Sequence, residues 1–554
     1  MALISGRSAF LQLLADEGVT HLFGNPGTTE LPIMEVVPDF PQITFVLGLH
    51  EAVVMAMADG FCRATNRLSA ANVHVAPGLG NAMGALYNAK FSGSPVILTA
   101  GQQEQGHGLL EPILYDPLVP IAQPLVKWAV EATRAEDLPR ILHRAAKIAL
   151  TPPTGPVFIS LPGDVLDQVV DLDMGAPVRV NAANRPSDEA LTGLAERLLA
   201  SQRPVILAGH ELSIHEAFAE AAELAELLGA AVYLSTIPYT AQFPTEHPAC
   251  QGSLPRSQSQ VRLALEPYDL LFCVGADLLR MSVKSPMEPL PINLPVIHLS
   301  ERNGELGKNY RTDIALQANV KETLKALLPL LRAKRTNEAA AAAARRLHEL
   351  RVRNWQAKRD DARVEAMLTA EHTPIDPKYL MLRITENLPR GAVVVEEGLT
   401  STAALPALLP LRDPNCFYGL ASGGLGFGIP GAVGISLGLP GRAIVAIIGD
   451  GSAMFAAQGL WTAAHHALPI TYIIANNRSY RIIKERLVTM RSTVKFTGMD
   501  LREPDIDFVH LGMTFGIATR RVTAPKELEA TLREAFASGK PNLIDVRVAD
   551  GFGA

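Results

Sequence analysis

The chain has 554 residues, 48% of them hydrophobic, which is enough for about three domains of ordinary size. Its formal net charge is -6, with both signs spread along the sequence, and that argues against a nucleic-acid binder. Cys62, Cys250, Cys273 and Cys416 have no metal-ligand spacing and imply no structural disulfide. The opening MALISGRSAF lacks the parts of a secretory signal, and no apolar run reaches membrane-spanning length, so a soluble, cytoplasmic protein is expected.

Residues 1–180 alternate between helix and strand patterns. Helical spacing covers 8–17, 51–65 and 80–91; short apolar runs at 21–24, 43–49, 71–75 and 95–100 read as strands. This alternation predicts a doubly wound parallel sheet. Glu51 opens a helix straight after a strand, where an acid complements the helix dipole. Asn25-Pro26-Gly27-Thr28 is a turn with backbone set by Pro and Gly. His74 stands at a strand end, and Gly78 to Gly84 lacks the spacing of a dinucleotide loop. His107 lies on a Gly-rich loop and is expected to be exposed.

A linker, VNAANRPSDEA, leads to a second α/β unit over 188–335, with strands at 204–209, 231–235, 270–276 and 295–300. It has no complete phosphate loop. Residues 336–373 are rich in Ala, Arg and Glu and predict a helical linker with charge on its outer face. Residues 374–554 form a third α/β unit. Thr400, Ser401 and Thr402 place hydroxyls at an expected helix start, suited to phosphate.

The densest chemistry lies at 444–480. An apolar strand ends in Gly449-Asp450-Gly451, a helix is predicted over 453–467, and a second strand ends in Asn476-Asn477. Ligands bind at this edge of open α/β sheets. Asp450 offers a carboxylate oxygen, Asn477 an amide oxygen and Ser479 a backbone carbonyl. Three protein oxygens leave room in an octahedron for phosphate oxygens and water, as Mg²⁺ requires. Gly449 and Gly451 let a diphosphate approach the backbone ahead of a helix N-terminus that includes Ser452.

GDGS followed by NN resembles the thiamin-diphosphate motif of the 2-oxo-acid decarboxylase and acetolactate synthase superfamily. The resemblance runs over nearly the whole chain and is nearest to the benzoylformate decarboxylase branch. It implies three α/β domains: 1–180 pyrimidine-binding, 188–335 middle and 374–554 diphosphate- and Mg-binding. LHEAVVMAMADGFCRAT matches the segment of the activating glutamate, so Glu51 would hydrogen-bond the aminopyrimidine ring. Thr28 would meet the substrate carboxylate and His74 would transfer protons. The cofactor-binding set would be Glu51, Thr400, Gly423, Leu425, Gly449, Asp450, Gly451, Ser452, Asn477 and Tyr480, with Asp450, Asn477 and Ser479 on Mg²⁺. Leu425, in the ASGGLGF loop, would wedge the cofactor into its bent form.

The same resemblance implies an active site shared between subunits, hence a dimer at least and a tetramer by extension. The expected reaction is non-oxidative decarboxylation of a 2-oxo acid to an aldehyde and CO₂. The alternatives are a carboligase of the acetolactate synthase type and a cofactor-binding protein without activity. The sequence departs from the branch twice. Ser282 stands where the branch has a second active-site histidine, and the segment after Tyr480 carries Arg481, Lys484 and Arg486. These bases form either a solvated side or an anion-binding group: an inward Arg486 would favour an acidic or polar substrate tail unless Glu485 or Glu104 pairs with it, and benzoylformate is expected to be a poor or secondary substrate.

Overall fold

The computed structural model describes residues 2–281 and 284–552. The first part of the chain supplies β1 (Ala2–Ser5), β2 (His21–Gly24), β3 (Thr44–Leu47), β4 (Ser69–His74), β5 (Val96–Gln102), β6 (Ala129–Glu131), β7 (Val157–Pro162) and β8 (Val169–Leu172). Six of these form a parallel sheet in the order β3-β2-β4-β5-β7-β6, while β1 and β8 pair antiparallel. The middle part gives β9 (Pro204–Ala208), β10 (Ala231–Leu234), β11 (Cys250–Ser253), β12 (Leu270–Val274), β13 (Val296–Ser300) and β14 (Ile314–Gln317). The last part gives β15 (Val393–Glu397), β16 (Phe417–Gly419), β17 (Ile444–Gly449), β18 (Ile470–Asn476), β19 (Ala518–Val522) and β20 (Asn542–Arg547). These are two further parallel sheets, β11-β10-β9-β12-β13-β14 and β16-β15-β17-β18-β20-β19.

The fold is therefore three doubly wound α/β units. The central strands are buried along nearly their whole length, as in Ile444–Gly449 and Ile470–Asn476. Helices on both faces of a parallel sheet demand such continuous apolar runs. The first and third sheets share one topology, with the strand order reversing between β2 and β4 and between β15 and β17. A crevice opens at the carboxyl ends of strands where the order reverses. Every predicted catalytic or cofactor residue lies at or near these two sheet edges.

The first and third units pack through two helices, Glu51–Thr65 and Gly428–Gly438. Their backbones touch because the contact residues are small. A Cβ on Gly434 would overlap the Met57 carbonyl, and one on Gly60 would overlap the Gly431 carbonyl. Residues 336–373 fold into two helices, Asn337–Arg351 and Trp355–Met367, capped by the side chains of Thr336 and Asn354. Trp355 is buried, and its Nε1 donates to the Pro406 carbonyl at 2.9 Å. No helix among the described residues is long and apolar enough to cross a membrane.

Three local expectations are corrected. The helix predicted over 80–91 begins earlier, as Val75–Ser92, directly after His74. Val75 accomplishes this with φ 42°, a left-handed conformation that is rare for a β-branched residue and costs on the order of 1–3 kcal/mol. The helix predicted over 453–467 is broken into Asp450–Ala453 and Gly459–His465. The break sets Gly459 against Pro430, where a Cβ would stand 3.3 Å from its ring. Thr400 to Thr402 lie in turns and do not start a helix; the next helix is Leu405–Leu408. Leu399, with φ 51°, bends the backbone there.

Candidate active site

At the first sheet edge, Glu51 is 7% exposed although it opens its helix. Capping is done by His50, whose Nδ1 accepts from Ala52 N at 3.1 Å. The Glu51 carboxylate is instead aimed by two amides: Asn25 Nδ2 donates to it at 3.1 Å and Asn81 Nδ2 at 3.0 Å. Gly78 leaves room for it, since a Cβ there would come within 3.2 Å of Oε1. Two amide donors thus fix the aim of this buried carboxylate.

His74 ends β4, with Nδ1 2.7 Å from the Glu30 carboxylate and 3.1 Å from Thr29 Oγ1. Glu30 is fully buried. It also accepts from Gly27 N at 2.8 Å, Thr29 Oγ1 at 2.8 Å and Gly101 N at 2.9 Å. An ionised carboxylate only accepts, so Nδ1 carries the imidazole proton and Nε2 is the nitrogen left for chemistry. Two glycines make this possible. A Cβ at Gly27 would overlap the His74 ring, and one at Gly101 would overlap Glu30.

Sequence reasoning missed Glu30, Asn25 and Asn81. The signal for Glu30 was present in NPGTTE, where an acid three residues after Gly27 can reach back to its N–H. Thr28 is exposed at the start of the short Thr28–Glu30 turn, and Thr29 supplies the hydroxyl beside His74. His107 is exposed. Ser282 lies outside the described residues.

At the third sheet edge, Asp450 and Asn477 are 4% and 6% exposed. One donor unites them: Ser479 N lies 2.9 Å from Asn477 Oδ1 and 3.3 Å from Asp450 Oδ2. The two side-chain oxygens therefore converge. Asp450 also accepts from Gly451 N at 2.8 Å. Burial nonetheless pushes its carboxyl up to about 6. Ser479 Oγ is buried there without a partner. One desolvated carboxylate, an amide oxygen and an unsatisfied hydroxyl fit a hard divalent cation that keeps several other ligands. Among the described residues no cluster of three His, Cys, Asp or Glu competes for a metal. The Tyr480 ring lies on Gly451, where a Cβ would come within 2.6 Å of it. Ser452 is buried, Gly449 partly so, and Thr400 is half-buried.

Between the two edges runs the loop that carries Leu425. Gly423 and Gly426 hold φ 83° and 101°, values open mainly to glycine. Glu397, at the end of β15, accepts from Gly426 N at 2.6 Å and from Gly428 N, which pins the loop around Leu425. Burial pushes the Glu397 carboxyl up to about 8, against the pull of those amides. Ser422 ties the loop to the first unit by donating from N and Oγ to Asn88 Oδ1 at 3.2 and 3.1 Å.

The basic segment after Tyr480 is the helix Arg481–Arg491. Arg486 is exposed, which matches the reading of this segment as a solvated basic side. Lys484 is the buried base of this helix, 3% exposed. Its ammonium is 2.7 Å from Asp500 and 3.8 Å from Asp550, so its charge is met within the chain. Arg481 pairs with Glu485 at 2.8 Å.

Comparison with known proteins accounts for this arrangement. Family models for thiamine pyrophosphate enzymes match in three blocks: the N-terminal TPP binding domain over 4–111, the central domain over 191–327 and the C-terminal TPP binding domain over 400–546. The chain is 34% identical to a benzoylformate decarboxylase of Pseudomonas aeruginosa, over 97% of this chain and 98% of the relative. It is 27% identical to a probable acetolactate synthase large subunit of Methanocaldococcus jannaschii, over 98% and 92%. Among solved structures, a thiamine diphosphate-dependent 4-hydroxybenzoylformate decarboxylase of Rhodococcus jostii superposes with TM-score 0.87 at 32% identity, covering 99% of both chains. The chain belongs to the thiamine pyrophosphate enzymes, and within them to the 2-oxo-acid decarboxylases.

Proposed function

We propose that this enzyme decarboxylates a 2-oxo acid with a neutral, largely apolar tail to the corresponding aldehyde, using thiamin diphosphate held through Mg²⁺. The observation that carries the reading is the pairing of two proton-handling groups at one sheet edge: buried Glu51 aimed by Asn25 and Asn81, and His74 fixed by Glu30. When bound, thiamin diphosphate would supply the nucleophile and the electron sink that decarboxylation of a 2-oxo acid needs. Asp450, Asn477 and Ser479 would hold Mg²⁺, while the backbone at Gly449 and Gly451 leaves room for the diphosphate. Leu425 would wedge against the rings on the loop fixed by Glu397. Glu51 would exchange a proton with the aminopyrimidine, and His74 would present Nε2 at the substrate, first as acceptor and as donor once it has taken a proton.

Lys484 gives no reason to expect an anionic tail, since its charge is already met by Asp500 and Asp550. A neutral tail is also consistent with the substrates for which the similar benzoylformate and 4-hydroxybenzoylformate decarboxylases are named. A homodimer at least, and a tetramer by extension, is part of the same proposal. Leu109, Leu110 and Ile113, on the loop after β5, are 91%, 75% and 85% exposed, and Phe455 beside the Asp450 turn is 53% exposed. Apolar groups clustered beside an active site are what a second copy would cover. Cytoplasmic residence belongs to the proposal as well, and four free, buried cysteines fit a reducing compartment.

The acetolactate synthase relative supports a second reading, transfer of the two-carbon or aryl fragment to another carbonyl. One experiment separates the two. The Mg²⁺-loaded holoenzyme is incubated with a panel of 2-oxo acids, with and without an aldehyde acceptor, and CO₂, aldehyde and coupled ketone are measured together. Free aldehyde equal to CO₂ supports decarboxylation; a coupled product formed faster than free aldehyde supports the carboligase; no CO₂ from any acid removes both.

A further inference from the structure

A cavity of about 430 Å³ lies where the three units meet, away from both catalytic sheet edges. Its walls bring two arginines to one space. Arg63, near the end of the Glu51–Thr65 helix, donates from Nη2 to the Tyr239 carbonyl at 2.6 Å. Its Nε and Nη1 are buried with no partner. Arg302, after β13, donates from its guanidinium to the carbonyls of Phe91 and Ser92, at 3.2 and 3.5 Å. Neither forms an ion pair among the described residues. Around them Thr240 Oγ1, Tyr239 OH and His215 Nδ1 are also buried without partners, and Thr240 and Tyr239 are only 6% and 8% exposed.

Buried polar atoms are normally satisfied, and a desolvated guanidinium without an anion is costly. The two carboxylates in the wall are already engaged. Glu301 is 3.1 Å from His215 and accepts from Asn319 at 2.9 Å. Glu211 accepts from Ser300 Oγ at 2.6 Å and Glu301 N at 3.0 Å, and burial raises its pKa toward the neutral form. The partnerless atoms around this space include the Arg63 Nε and Nη1 donors and the hydroxyls of Tyr239 and Thr240, while the Arg63 guanidinium also rests over the Phe427 ring at 4.6 Å.

A dinucleotide is not the fitting occupant. The middle sheet reverses order between β9 and β12, where such cofactors bind, but that crevice is shut. Gly209 N donates to the Val274 carbonyl at 3.0 Å and Glu211 N to the Gly275 carbonyl at 3.0 Å. A Cβ on Gly209 would overlap Gly275.

We propose that the junction cavity is a binding site for a small anion, carboxylate or phosphate, whose oxygens take the unpartnered donors of Arg63 and Thr240 beside the guanidinium charge of Arg302. Its occupant would tie the three units together. Arg63 sits on the helix that begins with Glu51, and Gly419 N in β16 donates to the Tyr239 carbonyl at 2.9 Å.

The test is calorimetric titration of inorganic phosphate and, separately, malonate into thiamin-diphosphate- and Mg²⁺-loaded enzyme, in which the cofactor's own diphosphate site is filled. ADP serves as the larger probe, and melting temperature is followed in parallel. The proposal expects at least one small anion to bind at millimolar concentration or below and to raise the melting temperature. Phosphate alone would identify a phosphate source, and malonate alone a carboxylate source. Arg302→Gln should weaken binding about tenfold or more, the loss of a charge-assisted contact, and Thr240→Val should weaken it less. Should Arg302→Gln fail to fold, Thr240→Val and the wild-type titrations decide. The proposal is overturned if the wild type binds neither small anion, if affinity is unchanged in the folded variants, or if ADP binds more tightly than either.

Discussion

Glu30→Gln isolates the group that fixes His74. The side chain keeps its size, but one carboxylate oxygen becomes an NH₂. Glu30 accepts four donors, two on each oxygen: Gly101 N and Thr29 Oγ1 on one, Gly27 N and His74 Nδ1 on the other. Whichever way the amide turns, its NH₂ faces two donors in a fully buried pocket. Hydrogen bonds to a charged group are worth about 1.5–3 kcal/mol, and a buried unsatisfied donor costs about 1–3 kcal/mol, so a stability loss of about 2–4 kcal/mol is expected. The catalytic effect is separate. With no carboxylate to accept from Nδ1, the imidazole loses its fixed tautomer and kcat should fall by about 100-fold or more. Cofactor affinity should not move, because Glu30 makes no contact with the Asp450 turn. The assay is steady-state kinetics on holoenzyme, with thiamin diphosphate binding and urea unfolding measured on the same preparations. Unaltered kcat in a folded, cofactor-loaded variant would refute the role given to the His74–Glu30 pair. A loss confined to stability would reduce Glu30 to a structural acid.

Glu51→Gln keeps the shape of the side chain and removes its proton exchange; cofactor should still bind while proton exchange at its thiazolium C2 slows by about 100-fold or more, read by NMR. Arg486→Leu should leave the preference between benzoylformate and dicarboxylic 2-oxo acids unchanged in kcat/KM, since Arg486 is exposed. A changed preference would mean the helix face is wrongly assigned. Glu397 gives a pH signature. Burial raises its folded value to about 8 from 4.5, so the folded chain binds its proton more tightly than the unfolded chain. That contribution is fully present below the unfolded value, declines above it and is lost as pH rises through about 8. The melting temperature should therefore fall between pH 6 and 9 less steeply in Glu397→Gln than in the wild type.

Local pattern carried far in this chain. Apolar runs such as Ile444–Gly449, closed by Gly449-Asp450-Gly451, specify strand, turn and ligand edge within a dozen residues. What the sequence hid is non-local. Glu30 and His74 are adjacent only because β2 and β4 are neighbours in the sheet. Asn81 meets Glu51 only because the helix after His74 starts early, through the strained Val75. The choice of Lys484 over Arg486 turned on helix phase, which a basic run does not reveal until one face is packed. The broken helix after Asp450 depended on the close approach of Gly459 to Pro430, a contact between separate elements. The junction cavity could not be read at all, because its lining comes from all three units.

The most direct test of the central claim is titration of thiamin diphosphate with Mg²⁺ into the wild type and Asp450→Ala, followed by calorimetry and by appearance of CO₂-releasing activity. The claim is that the converging oxygens of Asp450 and Asn477 hold the metal that anchors the cofactor. The wild type should bind one cofactor per chain only when Mg²⁺ is present, with activity rising in proportion. Asp450→Ala should remain folded and lose tight binding and activity together. Cofactor affinity equal to wild type in Asp450→Ala, or tight binding that ignores Mg²⁺, would contradict the account.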